Sequence, residues 1–184
     1  KNRNIEKKKW YDLIYSPKYS FDNEADYIDE LDGLIKNSIQ DRLVSDVPIG
    51  AFLSGGLDSS LVASYMQNEC SNLNTFSIGF EDASFDESYF SKLVADHLGT
   101  NHHLEIFSAN SMLEILPSIW ESMDEPFADA SLLPTYLLSG FTKNEVTVSL
   151  SGDGGDEIFG GYPTYFAHKI AKWIPSWSAS SMQY

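Results

Sequence analysis

The chain has 184 residues, 42% of them hydrophobic, which is enough for one domain with a substantial core. Its formal net charge at pH 7 is −15, and Lys92 is the only Lys or Arg between Leu43 and Thr142. A face that binds nucleic acid needs clustered basic side chains, so this composition argues against a nucleic-acid partner.

The single cysteine, Cys70, supports neither an internal disulfide nor a zinc site. No apolar run approaches the length that spans a membrane, and the basic residues at the start are not followed by the apolar core of a signal peptide. We therefore expect a protein without a membrane partner, in a reducing, cytoplasmic location.

The predicted elements alternate between helices and strands. Residues 1–20 are basic and then aromatic, which predicts a linker that packs down, and the apolar stripe that follows predicts a helix from 21 to about 42. Short apolar runs between turn formers predict strands over 49–53, 74–80, 102–107 and 145–150. Further helices are predicted from Ser59, over 89–98, from Ser111 and over 132–141.

Two of these helices carry capping-box patterns. Ser84-Phe-Asp-Glu87 precedes the helix that Gly99 stops, and Ser111-Met-Leu-Glu114 opens a helix that Pro117 is expected to kink or end. The alternation of elements predicts an α/β fold, a parallel sheet with helices on both faces in three layers. Loops at the strand ends of such open sheets carry ligands.

The first stretch with chemical content is Ser54-Gly-Gly-Leu-Asp-Ser-Ser60, between a predicted strand and a predicted helix. Its two glycines let a phosphate approach the backbone, the free amides at the helix start point toward it, and the three serines add hydroxyl donors. No lysine follows, so this is not a Walker-type loop. Asp58 would repel a phosphate unless a divalent cation lay between them, which predicts a Mg²⁺-nucleotide site. The alternative is a tight turn in which Asp58 and Ser59 cap the helix.

The second stretch is Ser151-Gly-Asp-Gly-Gly-Asp-Glu157, directly after the last predicted strand. Glu157 occupies the third glycine position of a dinucleotide fingerprint, so that fingerprint fails. Its carboxylates would repel one another without a counter-charge, which again indicates Mg²⁺ or a cationic ligand. The alternative is an acidic surface turn. We predict that the two loops lie together at the carboxyl ends of adjacent strands.

Taken together, Ser54-Gly-Gly-Leu-Asp-Ser-Ser60 and Ser151-Gly-Asp-Gly-Gly-Asp-Glu-Ile-Phe-Gly-Gly-Tyr162 resemble the synthetase domain of glutamine-hydrolysing asparagine synthetases. The resemblance extends from about Trp10 to Tyr165 and includes the intervening segments 76–80, 85–87, 102–103 and 124–135. It implies a Rossmann-like fold of the adenine nucleotide alpha hydrolase type, with ATP and Mg²⁺ as cofactors.

The resemblance implies an ATP-dependent amide ligation, in which aspartate attacks the α-phosphorus to give β-aspartyl-AMP and pyrophosphate, and ammonia from glutamine then displaces AMP. Leu53 and Ile78 would flank the adenosine, and Asp58 and Asp156 would bind Mg²⁺. Asp153 stands where many relatives have glutamate and would be the catalytic residue for acyl-adenylate formation. The implied ATP contacts are Leu53, Ser54, Gly55, Gly56, Asp58, Ser59, Ile78, Ser151 and Gly152.

The family pattern also implies that the chain is part of a longer protein. Residues 1–20 would be the linker from a missing N-terminal glutaminase domain, and 21–184 the N-terminal part of the synthetase domain. The implied partners are small molecules, namely ATP, aspartate and ammonia, and a homodimer stays open. Because no side-chain cation is identifiable near the loops, we expect the chain alone to recognise nucleotide but to make little or no amide product.

Two alternatives to the asparagine reaction stay open. NAD synthetase, GMP synthetase, argininosuccinate synthetase and tRNA-thiolating enzymes share the first loop, and the second loop favours the asparagine synthetase type. Within that type, the acceptor of the amide could be another carboxylate or a sugar. A non-catalytic adenine-nucleotide-binding module is the other alternative, and it would show no Mg²⁺-dependent release of pyrophosphate.

Overall fold

The computed structural model describes residues 6–12, 20–84, 86–125 and 127–173. By compactness the chain divides into two units, residues 1–37 and 38–184. Residues 1–5 and 13–19 of the predicted linker lie outside the described residues. Of the aromatic residues in this segment, the described Trp10 and Tyr11 are 92% and 62% exposed.

The described part of the chain contains eleven helices and strands. The four strands are β1 (Ile49–Phe52), β2 (Asn74–Phe80), β3 (Asn101–Phe107) and β4 (Val148–Leu150). The seven helices are α1 (Glu24–Leu43), α2 (Leu57–Glu69), α3 (Ser88–Leu98), α4 (Ala109–Ser122), α5 (Leu132–Thr142), α6 (Gly155–Phe159) and α7 (Pro163–Ala171). No described helix combines the length and apolarity that crossing a membrane requires.

All four strands pair in parallel in one sheet, in the order β3-β2-β1-β4. Strand β2 shows how helices cover both faces. The Phe76 ring meets Phe141 of α5 edge-on at 6.1 Å between centroids, whereas the next residue, Ser77, bonds Ser91 of α3 at 3.0 Å. Because successive strand residues point to opposite faces, α3 and α5 lie on opposite sides of the sheet. The predicted three-layer α/β fold is confirmed.

The core lies where the central strands meet these helices. Phe76, Leu53, Met66, Leu73 and Ile119 are its largest fully buried apolar side chains. Burying side chains of this size is worth roughly 1.5–3 kcal/mol each, which stabilises the packing of the helices on the central strands. The predicted strand over 74–80 is confirmed at both ends.

The first capping-box prediction is wrong. The helix predicted over 89–98 is confirmed as α3, which begins at Ser88, but Ser84 does not cap it. Asp86 accepts from the Ser88 amide at 3.1 Å and from the Ser88 hydroxyl at 2.8 Å, and Ser84 instead bonds the carboxylate of Asp82. Short acidic side chains compete for nearby backbone donors, and here they replace the capping box. The predicted stop at Gly99 is confirmed, with φ of +69°.

The second capping-box prediction is also wrong. Ser108 is the N-cap of α4 and accepts from the Ser111 amide at 3.1 Å, so the serine that we predicted as the cap is the third residue inside the helix. Pro117 does not end α4, which continues to Ser122.

The last strand is shorter than predicted. The amides of Glu145 and Val146 both donate to the Thr142 carbonyl, which prolongs the turn after α5. Pairing with the segment before β1 begins only when Thr147 and Val148 donate to the Pro48 carbonyl. Strand β4 therefore covers Val148–Leu150 and not the whole of 145–150.

Candidate functional site

The two glycine-containing stretches meet at one edge of the sheet. The first loop, residues 54–59, follows β1, and the second loop, residues 151–156, follows β4. Strands β1 and β4 are parallel neighbours, with Gly50 opposite Ser149 and Ala51 opposite Leu150. Their carboxyl ends therefore lie side by side, as predicted for an open sheet with a ligand site.

Glycines of the second loop bring it against the first. A Cβ on Gly152 would lie 2.7 Å from the Ser59 amide nitrogen and 2.9 Å from the Asp58 Cβ. A Cβ on Gly155 would lie 2.5 Å from Asp58 Oδ2. All three distances are far inside van der Waals contact. At Gly152 the obstacle includes backbone, so glycine is required there, whereas at Gly155 the obstacle is the Asp58 carboxylate, which an added Cβ would displace.

The first loop rests on the start of α3. Gly55 has φ of +84°, and a Cβ there would lie 2.5 Å from the Phe90 carbonyl carbon and 2.6 Å from the Ser91 amide nitrogen. Both the left-handed backbone and the close approach require glycine. The loop is thus supported from below by helix backbone, which is less adjustable than a side chain.

Serine hydroxyls brace the first loop from within. Ser59 is 7% exposed, accepts from the Ser54 amide at 3.2 Å and donates to the Gly56 carbonyl at 3.3 Å. The hydroxyls of Ser54 and Ser59 lie 2.9 Å apart, and Ser60 donates to the Gly56 carbonyl at 2.6 Å. We expected these hydroxyls as phosphate donors, whereas here their protons are used inside the loop.

The start of α2 supplies donors that these hydroxyls do not. Gly56 is the N-cap and offers no side-chain cap, and first-turn amides of an α-helix have no partner within the helix. The positive end of the helix dipole adds to these amides, so this terminus favours an anion such as phosphate.

A cleft of about 440 Å³ opens over the two loops. Every predicted site residue lines it except Gly55, which is turned onto α3, and Asp156. The predicted residues that line it are Leu53, Ser54, Gly56, Asp58, Ser59, Ile78, Ser151, Gly152 and Asp153.

Two helices contribute lining residues that sequence reasoning did not assign to the site. They are Glu87 and Ser91 at the start of α3, and Pro134, Thr135 and Leu138 of α5. No local pattern marks them, since their place depends on the helices packing over the ends of β1 and β2. The order of the strands in the sheet was the signal that could have identified the residues of α3, because the helix that follows β2 must begin near the neighbouring loop.

The charges in the cleft are all of one sign. Asp58, Glu87 and Asp153 line it, and its described lining contains no Lys, Arg or His. In the described ranges no group of three or more His, Cys, Asp or Glu side chains is placed to hold a metal ion by itself. Mg²⁺ is usually held by one or two carboxylates together with phosphate oxygens, so this donor set fits a cation that arrives with a nucleotide.

The acids of the second loop are held separately. Asp153 Oδ2 accepts from the Ser151 hydroxyl at 2.8 Å and faces the cleft. Asp156 lies against the backbone of Gly161, where a Cβ would overlap its carboxylate. The structure therefore brings Asp153 into the cleft lining and leaves Asp156 beside it, one residue beyond the contact of Gly155 with Asp58.

Glu157 has a partner of its own outside the cleft. Its Oε1 accepts from the Tyr162 hydroxyl at 2.7 Å. That bond lowers the pKa of Glu157 and raises the pKa of Tyr162 to about 12. Glu157 is thus committed to bracing the turn after α6.

The family model described as asparagine synthase matches residues 30–183. A relative in Methanocaldococcus jannaschii, provisionally named a glutamine-hydrolysing asparagine synthetase, is 42% identical over 182 residues, which cover 94% of this chain and 35% of that protein. Asparagine synthetase (glutamine-hydrolysing) 1 of Bacillus subtilis is 39% identical over 142 residues, 77% of this chain and 22% of that protein. The chain thus spans about a third or less of the length of these relatives.

Among solved structures, the NH3-dependent NAD synthetase of Campylobacter jejuni, in complex with the nitrate ion, has a TM-score of 0.50 and 16% sequence identity. The match covers 73% of this chain and 60% of that one, and at this identity it bears on the fold alone. The family model covers most of the chain, including both loops and every strand. The chain therefore belongs to the asparagine synthase family.

Proposed function

We propose that this chain is the nucleotide-binding part of an ATP-dependent ligase that converts aspartate to asparagine. The observation that carries the proposal is the contact between the two loops, where Gly152 and Gly155 of the second loop pack directly on Asp58 and Ser59 of the first. Such packing builds one cleft from two strand ends. An acidic surface turn, the alternative for the second loop, has no need of it.

The lining of the cleft suits the parts of ATP in order. Leu53 and Ile78 provide apolar contact for the adenosine, and the α2 amides provide donors for the pyrophosphate. Ser151 and Gly152 also line the cleft, where they would contact the nucleotide. Gly55 shapes the loop from beneath rather than touching the ligand.

In this proposal Asp58 holds Mg²⁺, with Asp156 as the second carboxylate after a small movement of the second loop. Bound Mg²⁺ would offset the negative charge of the phosphates and of the departing pyrophosphate. The excess of carboxylates in the cleft supports this role, because an ATP polyanion would otherwise be repelled by Asp58, Glu87 and Asp153.

The proposed chemistry has two steps. A carboxylate is a poor electrophile, so an oxygen of the aspartate side chain first attacks the α-phosphorus while the bond to pyrophosphate breaks, giving β-aspartyl-AMP. Ammonia then attacks the acyl carbon, AMP leaves, and the nitrogen loses a proton. Asp153 lies in the cleft lining, where we propose that it acts in the first step.

The relatives are named as glutamine-hydrolysing enzymes, and we propose glutamine as the source of ammonia and the cytoplasm as the location. The cleft lining among the described residues has no side-chain cation to stabilise pyrophosphate as it leaves. Preorganised cations of this kind are worth several kcal/mol of barrier. We therefore expect the isolated chain to bind nucleotide but to form little amide product.

The test uses the full-length protein with ATP, Mg²⁺, aspartate and either glutamine or ammonium, and it follows pyrophosphate and asparagine separately. We expect both products in equal amounts, and strong loss of both in Asp58→Asn. The matched control is Ser60→Ala, which removes only one hydroxyl bonded to the Gly56 carbonyl. Pyrophosphate release with another acceptor but not with aspartate would contradict the assignment of aspartate as the substrate. Nucleotide binding without any pyrophosphate release would contradict the proposal that the protein is an enzyme.

A further inference from the structure

A line of hydrogen bonds links β3, β2 and α3 next to the cleft and includes the imidazole of His102. Thr100 and Thr75 hydroxyls lie 2.8 Å apart, and Thr75 Oγ1 lies 2.9 Å from His102 Nδ1. On the other side of the ring, Nε2 lies 3.1 Å from Ser77 Oγ, which lies 3.0 Å from Ser91 Oγ. Thr75, Ser77 and Ser91 are all at most 5% exposed.

The end of this line favours one direction for its protons. Ser91 donates to the Ser88 carbonyl at 3.0 Å, and a carbonyl can only accept. The single hydroxyl proton of Ser91 is therefore used, so Ser77 must donate to Ser91. Ser77 has then no proton left for the ring, so His102 must donate to Ser77 from Nε2.

The same logic sets the other nitrogen. With its proton on Nε2, a neutral ring accepts at Nδ1, so Thr75 donates to His102 and accepts from Thr100. Burial lowers the pKa of His102, which agrees with a neutral ring. The arrangement that also serves the Ser88 carbonyl therefore runs from Thr100 to that carbonyl, whereas the reverse arrangement leaves the carbonyl without the Ser91 proton.

This line ends directly under the first loop. Ser77 and Ser91 line the cleft, and Ser91 also supplies the backbone amide on which Gly55 rests. The bond from Ser77 to Ser91 joins β2 to the first turn of α3, and Gly55 rests on that turn.

We infer that His102 is a positioning residue for the nucleotide cleft, acting through its Nε2 proton on Ser77 and Ser91 and thereby on the seat of Gly55. This inference rests on the proposed function for the identity of the ligand. It assigns no contact between His102 and the ligand, because the ring lies behind Ser77.

The experiment compares two amides that each copy one side of the imidazole. In His102→Gln the amide nitrogen reaches the place of Nε2 and can donate to Ser77, whereas in His102→Asn the shorter side chain reaches only the place of Nδ1. The matched control is His103→Asn, since His103 lies on the opposite face, stacked on Phe76 at 4.9 Å between centroids. Calorimetry on the full-length protein measures the affinity for ATP with Mg²⁺.

We expect His102→Asn to bind ATP about three- to tenfold more weakly, the range of one neutral hydrogen bond, and His102→Gln and His103→Asn to stay within about twofold of wild type. Equal binding by all four proteins would overturn the positioning role. Equal weakening by both His102 variants would overturn the part assigned to the Nε2 proton, because bulk alone would then explain the loss.

A second measurement needs neither a variant that folds nor a ligand. In a nitrogen–proton correlation spectrum of histidine-labelled protein, we expect the His102 ring to carry its proton on Nε2. A proton on Nδ1 would overturn the inference even if ATP binds well. Failure of the wild type to bind ATP, with the proton on Nε2, would instead overturn the proposed function and leave the hydrogen-bond line supported.

Discussion

The two loops of the cleft are held in different ways. The first loop is braced inside by Ser54 and Ser59 and seated on helix backbone through Gly55. The second loop leads into α6, a five-residue helix with no buried residue, and it approaches the first loop through Gly152 and Gly155. The first loop is therefore held firmly in place, whereas the position of the second loop depends on the absence of side chains at Gly152 and Gly155.

Because the two loops are held differently, substitutions in them should affect the stability of the fold and the binding of nucleotide to different extents. A change in the seat of the first loop must disturb backbone, so it should weaken the fold and the site together. At Gly155 of the second loop an added Cβ meets only the carboxylate of Asp58, which can rotate, so a change there should disturb the site while leaving the fold nearly intact. The predictions that follow test this separation.

The largest effect is expected for Gly55→Ala. Its left-handed backbone and its contact with the Phe90 carbonyl carbon and the Ser91 nitrogen leave no room for a Cβ. We expect the free energy of unfolding to fall by about 3 kcal/mol or more in urea denaturation. Gly140→Ala is the control, because a Cβ at that exposed position in α5 meets nothing within 4 Å, and it should stabilise by about 0.5–1 kcal/mol. A loss no larger than about 1 kcal/mol for Gly55→Ala would mean that the first loop is not seated on α3.

A smaller effect on the fold, with a clear effect on the site, is expected for Gly155→Ala. The new Cβ overlaps the carboxylate of Asp58 and turns it away. We expect the free energy of unfolding to change by less than about 1 kcal/mol, while the affinity for ATP with Mg²⁺ falls about tenfold or more in calorimetry. A variant that unfolds as easily as Gly55→Ala would erase the distinction between the loops.

The smallest effect is expected for the pH dependence of the free energy of unfolding, through the support that His102 gives to the first loop. Burial first, then the charges of His103 and Lys92, lower the pKa of His102, and Asp96 opposes them. The folded state thus binds fewer protons than the unfolded state, so stability is full above the ordinary value of 6.5 and falls as the pH drops through it. Urea denaturation at about pH 7.5 and about pH 5.5 should show a larger loss for wild type than for His102→Gln, since glutamine does not titrate. Identical losses of unfolding free energy in the two proteins would contradict a role of His102 in supporting this loop.

The sequence was most informative where a pattern is local. The apolar run of β2 and the glycine-framed loops were predicted because strand pattern and turn chemistry depend on neighbours in the chain. The capping boxes were wrong because Asp86 and Ser108 compete with the serines that these boxes name, and local side chains alone do not decide that competition. Glu87 was not predicted to line the cleft, since its place depends on how α3 packs beside β1.

The most direct test of the central claim is calorimetric titration of ATP into the protein with and without Mg²⁺, for wild type and for Asp58→Asn. If Asp58 carries the cation between the two loops, wild type binds at least about tenfold more tightly with Mg²⁺, and Asp58→Asn loses that gain while keeping weak binding without metal. The same affinity for both proteins in both conditions would contradict a Mg²⁺-nucleotide site built from these loops.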